Sequence, residues 1–263
     1  MLYKVKRKIK NIFRYRHFIA TIIKKEFKIR YAQSYLGMSW LVLEPFFLVM
    51  TLSYIFTVIG RTARGGHPFP LFFYSGLLPW RYFVSCLTQG TSAFISDAAL
   101  IKKIYFPREI SLLKTIGVCL VDYLFANVAF IVLLIIFKYP PNWNYLYIPV
   151  LLILETVFVY SLTLFTASIS VFVRDVRIVV NTLSSIWFWL TPIIFHYPFS
   201  GRTKILYYVN PMAGIISNFR STILDNQAPV IEQLYSVFCY IVVFSLAGWL
   251  VFKKLEKEFV DVL

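Results

Sequence analysis

Acidic residues are scarce in this chain: 12 Asp and Glu stand against 27 Lys and Arg in 263 residues, a net charge of +15 at pH 7. Charged residues of both signs together reach only 15%, against about a quarter in ordinary soluble domains, which disfavours that class. Cysteine is rarer still. Cys86, Cys119 and Cys239 lie far apart in apolar stretches without a Cys-x-x-Cys pair, and His17, His67 and His196 are equally scattered, so the cysteines read as packing residues and no metal is expected. None of the ten glycines is followed by lysine, which excludes a phosphate-cradling G-x-x-x-x-G-K-[ST] loop and ATP hydrolysis by that route. G-x-S-x-G and H-E-x-x-H are missing too, and Glu44, Asp122 and Glu155 form no recognisable acid/base pair, so an enzyme acting inside a membrane is disfavoured. Behind the basic N-terminus there is no uninterrupted apolar core with a small-residue cleavage site, so no removable signal peptide is expected.

What is present is oil. Hydrophobic residues make up 59% of the chain and aromatics 19%, and the mean hydropathy is +0.70, which points to an all-α integral membrane protein. A helix crossing a ~30 Å hydrocarbon core takes about 20 residues. Apolar runs of that order fall at about 38–60, 70–95, 110–137, 145–172, 177–195 and 233–252, predicting six transmembrane helices within a domain over 34–256. That leaves no room for a separate catalytic domain. Eleven of the 27 cations precede residue 31. Over residues 4–31, Ile9, Ile12, Ile19, Ile23 and Phe27 recur at helical spacing among Lys8, Lys24, Lys25 and Lys28, the pattern of a basic amphipathic helix lying in the membrane surface, here given the segment 1–33. A solvated basic tail is the other reading of that charge run. Cations mark the cytoplasmic side, so six crossings return the tail 257–263, preceded by Lys253 and Lys254, to the side of the N-terminus. Five crossings would place those lysines outside.

Two segments break the up-and-down pattern. Asp97 can cap a short helix Ala98–Tyr105 ahead of Pro107, with Leu100, Ile101 and Ile104 beside Lys102 and Lys103; it reads either as a docking knob or as a basic cytoplasmic turn. Residues 196–230 contain Pro198, Gly201, Pro211, Gly214 and Pro229, too many breakers for a crossing, and predict a broken re-entrant outer segment whose second half-helix starts at Asn210-Pro211. Ionisable groups inside spans are costly, so Glu44, Arg81, Asp122 and Glu155 should face the bundle interior, a cavity or the headgroups, or pair for packing near helix ends. Tyr54, Tyr123, Trp187 and their fellow aromatics could form interfacial belts or line a conduit whose flat faces pack on sugar C–H surfaces.

A resemblance carries this further. Glu26-Phe-Lys-Ile-Arg-Tyr31, Ser34-Tyr-Leu-Gly-Met-Ser-Trp40 with Glu44-Pro45, Tyr74-Ser-Gly-Leu-Leu-Pro-Trp80, Leu100-Ile-Lys-Lys-Ile-Tyr-Phe-Pro-Arg-Glu-Ile110, Val121-Asp122, Pro140-Pro-Asn-Trp143, Val173-Arg-Asp-Val-Arg177 and Asn210-Pro-Met-Ala-Gly214 stand in an order that resembles the ABC-2 type permeases exporting bacterial polysaccharides. The likeness spans residues 20–260 and leans toward exporters of O-antigen. It implies a half-transporter of the bacterial inner membrane, with both termini cytoplasmic: a homodimer joined by two copies of a P-loop ATP-binding subunit that carries the ATP and Mg. No cofactor is expected in this chain and no nucleic acid as partner. By the same likeness, Asp97, Leu100, Ile101, Lys102, Lys103, Ile104, Tyr105, Phe106 and Arg108 form a coupling helix seated on the ATPase, Arg174 and Asp175 make a smaller contact, and the N-terminal helix helps recruit the partner. The cargo implied is a glycan linked to undecaprenyl diphosphate.

Lys28 and Arg30 are cations suited to that diphosphate, and Glu44, Tyr54, Arg81, Asp122, Tyr123 and Trp187 are channel candidates. Capsule, teichoic acid, or a small lipid or drug are alternative cargoes. An ion-coupled flippase or a membrane glycosyltransferase fits less well, for want of an inverted repeat and of an acid/base constellation respectively.

Overall fold

In a computed structural model the residues described are 15–32, 34–58, 66–103, 107–195 and 199–262. The start of the expected N-terminal helix and the coupling candidates Ile104, Tyr105 and Phe106 fall outside them, as does the side chain of Lys103. The described residues are helical and contain no strand.

Helix α1 (Arg16–Ala32) ends at a turn where Gly37, at φ +52°, opens a 3-10 turn leading into α2 (Trp40–Val58). Helix α3 (Phe69–Thr91) runs back, and two short pieces, α4 (Ala93–Ser96) and α5 (Ala98–Lys103), lead to α6 (Glu109–Ile136). Helices α7 (Ile148–Ser170) and α8 (Asp175–Trp189) follow, then the half-helices α9 (Lys204–Val209) and α10 (Pro211–Leu224), the long α11 (Tyr235–Leu255) and a last turn, α12 (Phe259–Val262). One end of the bundle gathers α1, α4, α5, α12 and the α7–α8 turn, with Phe94 and Phe172 both packed on Phe259; with Lys24, Lys25, Lys102, Arg174 and Lys253 it is the basic end. The half-helices occupy the far end.

Among the described residues, four helical stretches are long and apolar enough to cross a membrane: Gly37–Phe56, Glu109–Ile136, Trp143–Ser170 and Ile231–Leu255. They match the first, third, fourth and sixth expected spans. The second, α3, has 23 residues, 17 of them buried, so it is the central helix, packed on protein along most of its length, and can carry Arg81, Ser85 and Gln89 at lower mean hydropathy for that reason. The fifth, α8, has 15 residues, about 22 Å at the α-helical rise. It stops short of residue 195 because Pro192 disfavours helical geometry at Thr191, and Ile193 N instead donates to Thr191 O at 2.7 Å.

Packing is close between α7 and α11, where Gly248 meets Ser161 O and the hydroxyls of Ser161 and Ser245 lie 2.8 Å apart, the small-residue contact that lets membrane helices approach. Phe83 and Phe158 stack at 5.6 Å between α3 and α7. At the far end the expected half-helix forms as its local signals require. Asn210 Oδ1 accepts from Met212 N and Ala213 N, and Pro211 takes the first helical position. Twelve of the 14 residues of α10 are buried. Its Arg220 lies 3.7 Å above the Phe72 ring and donates to the carbonyls of Phe72, Pro192 and Ile193, so a buried cation is satisfied by backbone dipoles and binds α10 to α3 and to the end of α8.

Candidate functional site

The polar residues that the apolar helices carry collect at the basic end, where α1 lies across α3 and α6. Ile23 of α1 sits directly over Gly117 of α6, and this close approach brings the polar side of α1 onto the bundle. Arg30 Nη1 then donates to Asp122 Oδ2 at 2.8 Å, its Nη2 to Gln89 Oε1 at 2.7 Å, and Tyr31 OH to Asp122 Oδ1 at 3.2 Å. Burial, followed by the Asp122 carboxylate, pushes the Tyr31 phenol up to about 12. A cavity of about 230 Å³ opens beside this cluster, with Glu44 and Arg81 paired at 3.0 Å on its wall. Of the channel candidates, Glu44, Arg81, Asp122 and Tyr123 line this one cavity.

A second cavity, about 440 Å³, lies toward α5 and is lined by Arg30, Gln89, Ser92 and Lys114 among others. Lys114 Nζ is 2.6 Å from Asp97 Oδ1 and 3.7 Å from Glu26 Oε2. Asn181 closes the cavity on the α8 side and also lines a third, about 430 Å³, running along α3 and α8 past Thr88, Ser184 and Ser185 to Trp80, Phe188 and Trp189. The two together make a groove with hydroxyls and amides at the basic end and aromatic faces deeper in. Such a surface can hydrogen-bond sugar hydroxyls and pack against sugar C–H faces.

The other expected residues sit elsewhere. Tyr54 is 73% exposed on α2 and touches none of these cavities. Trp187 is packed against Phe83 and Trp80 and donates to Asn210 Oδ1 at 2.8 Å, which places it behind the groove wall. Lys28 is exposed, whereas Arg30 is already bound to Asp122 and Gln89. Glu155 is fully buried behind Tyr82 and Tyr123 and lines none of the three cavities. In the coupling segment Asp97 leaves the cap position to its own carbonyl, which accepts from Leu100 N and Ile101 N at 2.9 Å; the carboxylate turns to Lys114 instead. Ile101 is 8% exposed and belongs to the bundle core, Leu100 is half-buried, and Lys102, Arg174 and Asp175 are exposed. Arg108 lies over the Phe259 ring at 5.5 Å.

Lys114, Gln89, Asn181 and Ser184 were not singled out by sequence reasoning. The one signal for them is spacing: Thr88, Gln89 and Ser92, and Asn181, Ser184 and Ser185, each recur at three and four residues on otherwise apolar helices.

The family model described as ABC-2 type transporter matches residues 17–224, which takes in α1 to α10 and every cavity described above. The chain belongs to the ABC-2 type transporter family. As an ABC-2 protein it is a membrane-embedded transporter subunit, and the P-loop it lacks belongs to a separate ATP-binding partner. Among curated proteins, an O-antigen export system permease protein RfbA of Myxococcus xanthus is 26% identical over 260 residues, covering 97% of this chain and 98% of its own length. Two proteins of the same name from Klebsiella pneumoniae are 27% identical over 250 residues and 26% over 248, each covering 93% of this chain and 94% of theirs.

Proposed function

We propose that this ABC-2 chain is the permease of an ATP-driven exporter that carries undecaprenyl-diphosphate-linked polysaccharide, with lipopolysaccharide O-antigen as its cargo, across the bacterial inner membrane. The observation that carries this reading is the near full-length match to three proteins named as O-antigen export permeases. The groove between α3 and α8 supports it. A long glycan needs a conduit that offers hydrogen bonds without holding any one sugar tightly, and Thr88, Asn181, Ser184 and Ser185 beside Trp80 and Trp189 supply that chemistry.

In this reading the basic end is cytoplasmic, as the concentration of lysine and arginine there favours. Six helices cross, α3 and α8 among them: α3 is shielded by its neighbours, and α8 completes its crossing together with residues 190–195. Two copies form the conduit. Exposed apolar faces on α2 (Phe47, Met50) and α8 (Leu183, Ile186) are available both to the second copy and to lipid. Two copies of the ATP-binding subunit, holding ATP and Mg, dock on α5, on the α7–α8 turn and on α1. Closure of the ATPase dimer moves these elements and widens the groove. The diphosphate of the carrier settles at the basic rim, near Lys28 and Arg30.

Deleting the gene in its host and complementing it from a plasmid tests the reading. Loss of the long lipopolysaccharide ladder, with lipid-linked glycan accumulating inside and both restored by the plasmid, is the expected result. An intact ladder with lost capsule would replace the cargo, and no change in either glycan would overturn polysaccharide export.

A further inference from the structure

Lys114 stands on α6 with its side chain only 10% exposed, and it holds two other elements at once: Asp97, from which α5 starts, and Glu26 on α1. One ammonium thus joins the two segments that meet the ATPase in the proposed function, and it does so on the wall of the cavity that Arg30, Gln89 and Ser92 also line. The bridge is incompletely satisfied. Asp97 Oδ1 takes the lysine, but its Oδ2 is buried without a hydrogen-bond partner among the described residues, and a buried carboxylate with one bare oxygen is costly to keep. Arg30 is held in the same way on the opposite wall, by Asp122 and Gln89.

We infer that a phosphate-bearing lipid headgroup in this cavity takes Lys114 and Arg30 from their carboxylates, and that the release of Asp97 reports occupancy to α5. A diphosphate presents several anionic oxygens where each carboxylate presents two, so it can bind both cations at once through charge-assisted hydrogen bonds. Gln89 and Ser92 supply neutral donors around it. The immediate wall is not cationic in sum, since Arg30 and Lys114 face Glu26, Asp97 and Asp122. Lys24, Lys25 and Lys28 on α1 and Lys102 on α5 give the rim a positive field that draws a polyanion in. Once Lys114 turns to the phosphate, Asp97 loses its partner and the link from α5 through α6 to α1 opens. The inference rests on the proposed export function and adds how that function is regulated. Undecaprenyl diphosphate and the anionic lipids of the bilayer share the required chemistry.

The test uses the complex of this chain with its ATP-binding partner in nanodiscs of neutral lipid, following ATP turnover against added undecaprenyl diphosphate or cardiolipin. Wild-type turnover should rise several-fold with undecaprenyl diphosphate. Lys114→Gln frees Asp97 and should lift lipid-free turnover as well, while the undecaprenyl diphosphate concentration for half-occupancy, read by native mass spectrometry, rises about tenfold or more, the loss of one charge-assisted contact; Lys114→Arg should restore both. Asp97→Asn should lift lipid-free turnover toward the stimulated value, a change that a residue serving only to hold the fold would not produce. Native mass spectrometry of the same complexes counts retained lipid, so an unfolded variant is told from an unresponsive one. Stimulation by cardiolipin with the same dependence on Lys114 supports the site and assigns its ligand to the bilayer. Equal half-saturating concentrations for wild type and Lys114→Gln overturn the inference. If the wild-type gene also restores the lipopolysaccharide ladder, the export reading survives that result; if it does not, the export reading itself has failed.

Discussion

Arg30 on α1 lies 2.8 Å from Asp122 on α6, and the two side chains remain 31% and 18% exposed. The pair is the polar fastening of a helix that otherwise rests on the bundle through Ile23 and Phe27. Because both partners keep some contact with water, the pair is worth about 1–2 kcal/mol, less than a fully buried one. Arg30→Ala should therefore make trypsin cut at Lys24 and Lys25 about tenfold faster in detergent, and the double exchange Arg30→Asp/Asp122→Arg should regain part of the protection. Unchanged digestion would show that α1 is held by its apolar contacts alone.

Tyr31 gives the same junction a pH signature. Burial and the Asp122 carboxylate raise its phenol from 10.0 to about 12, so the folded chain binds this proton more tightly than the unfolded chain does. The corresponding stability is complete below pH 10 and is lost as pH rises from about 10 to about 12. Thermal melts across that window should fall more steeply for wild type than for Tyr31→Phe. Parallel curves would mean that Tyr31 is solvated.

Ile101 and Lys102 are neighbours in sequence with opposite exposures. Ile101→Asp should cost about 3 kcal/mol or more by burying a carboxylate in the core and so deplete the permease itself. Lys102→Glu should leave the unfolding free energy within about 0.5 kcal/mol of wild type while weakening co-purification with the ATP-binding subunit. Undiminished co-purification of Lys102→Glu would remove α5 from the docking surface.

Asn210 caps α10 and also bonds Trp187 and, through Nδ2, Leu190 O and Thr191 Oγ1. Asn210→Ala should cost about 2–3 kcal/mol, the cap plus unpaired groups at the end of α8. Trp187→Phe removes only the indole donor, for about 1 kcal/mol. Equal losses on thermal unfolding would argue that the attachment of α8, and not the cap, dominates.

Gly214 leaves no space for a side chain: a Cβ there would run into Gln233 O, a backbone atom that cannot turn aside. Gly214→Ala should separate α10 from the start of α11 and sharply lower the yield of folded protein, read by size-exclusion chromatography in detergent. A normal elution profile would show that this contact can relax.

Legibility in the sequence followed the range of each interaction. The cap at Asn210-Pro211 and the lengths of α6, α7 and α11 depend on neighbours a few residues away, so composition and spacing were enough. The grouping of Glu44, Arg81, Asp122 and Tyr123 around one cavity was foreseeable only as a shared reluctance to face lipid. Arg220 is buried on carbonyls contributed by residues 72, 192 and 193, partners that no local pattern in the sequence points to. Lys114 carried no signal of its own in the sequence, because its partners lie 17 residues back at Asp97 and further still at Glu26.

Composition and spacing were enough to place the chain in a membrane, to locate its apolar runs and its basic end, and to show that it carries no P-loop motif of its own. Each of these sums over local residues or rests on the absence of a contiguous motif. Only the tertiary structure decided that α3 is the shielded helix, that Arg30 is already partnered, and that Lys114 joins α1 to α5. Pairing and burial depend on distances of a few ångströms between residues remote in the chain, and the packing of α1 across α3 and α6 sets those distances.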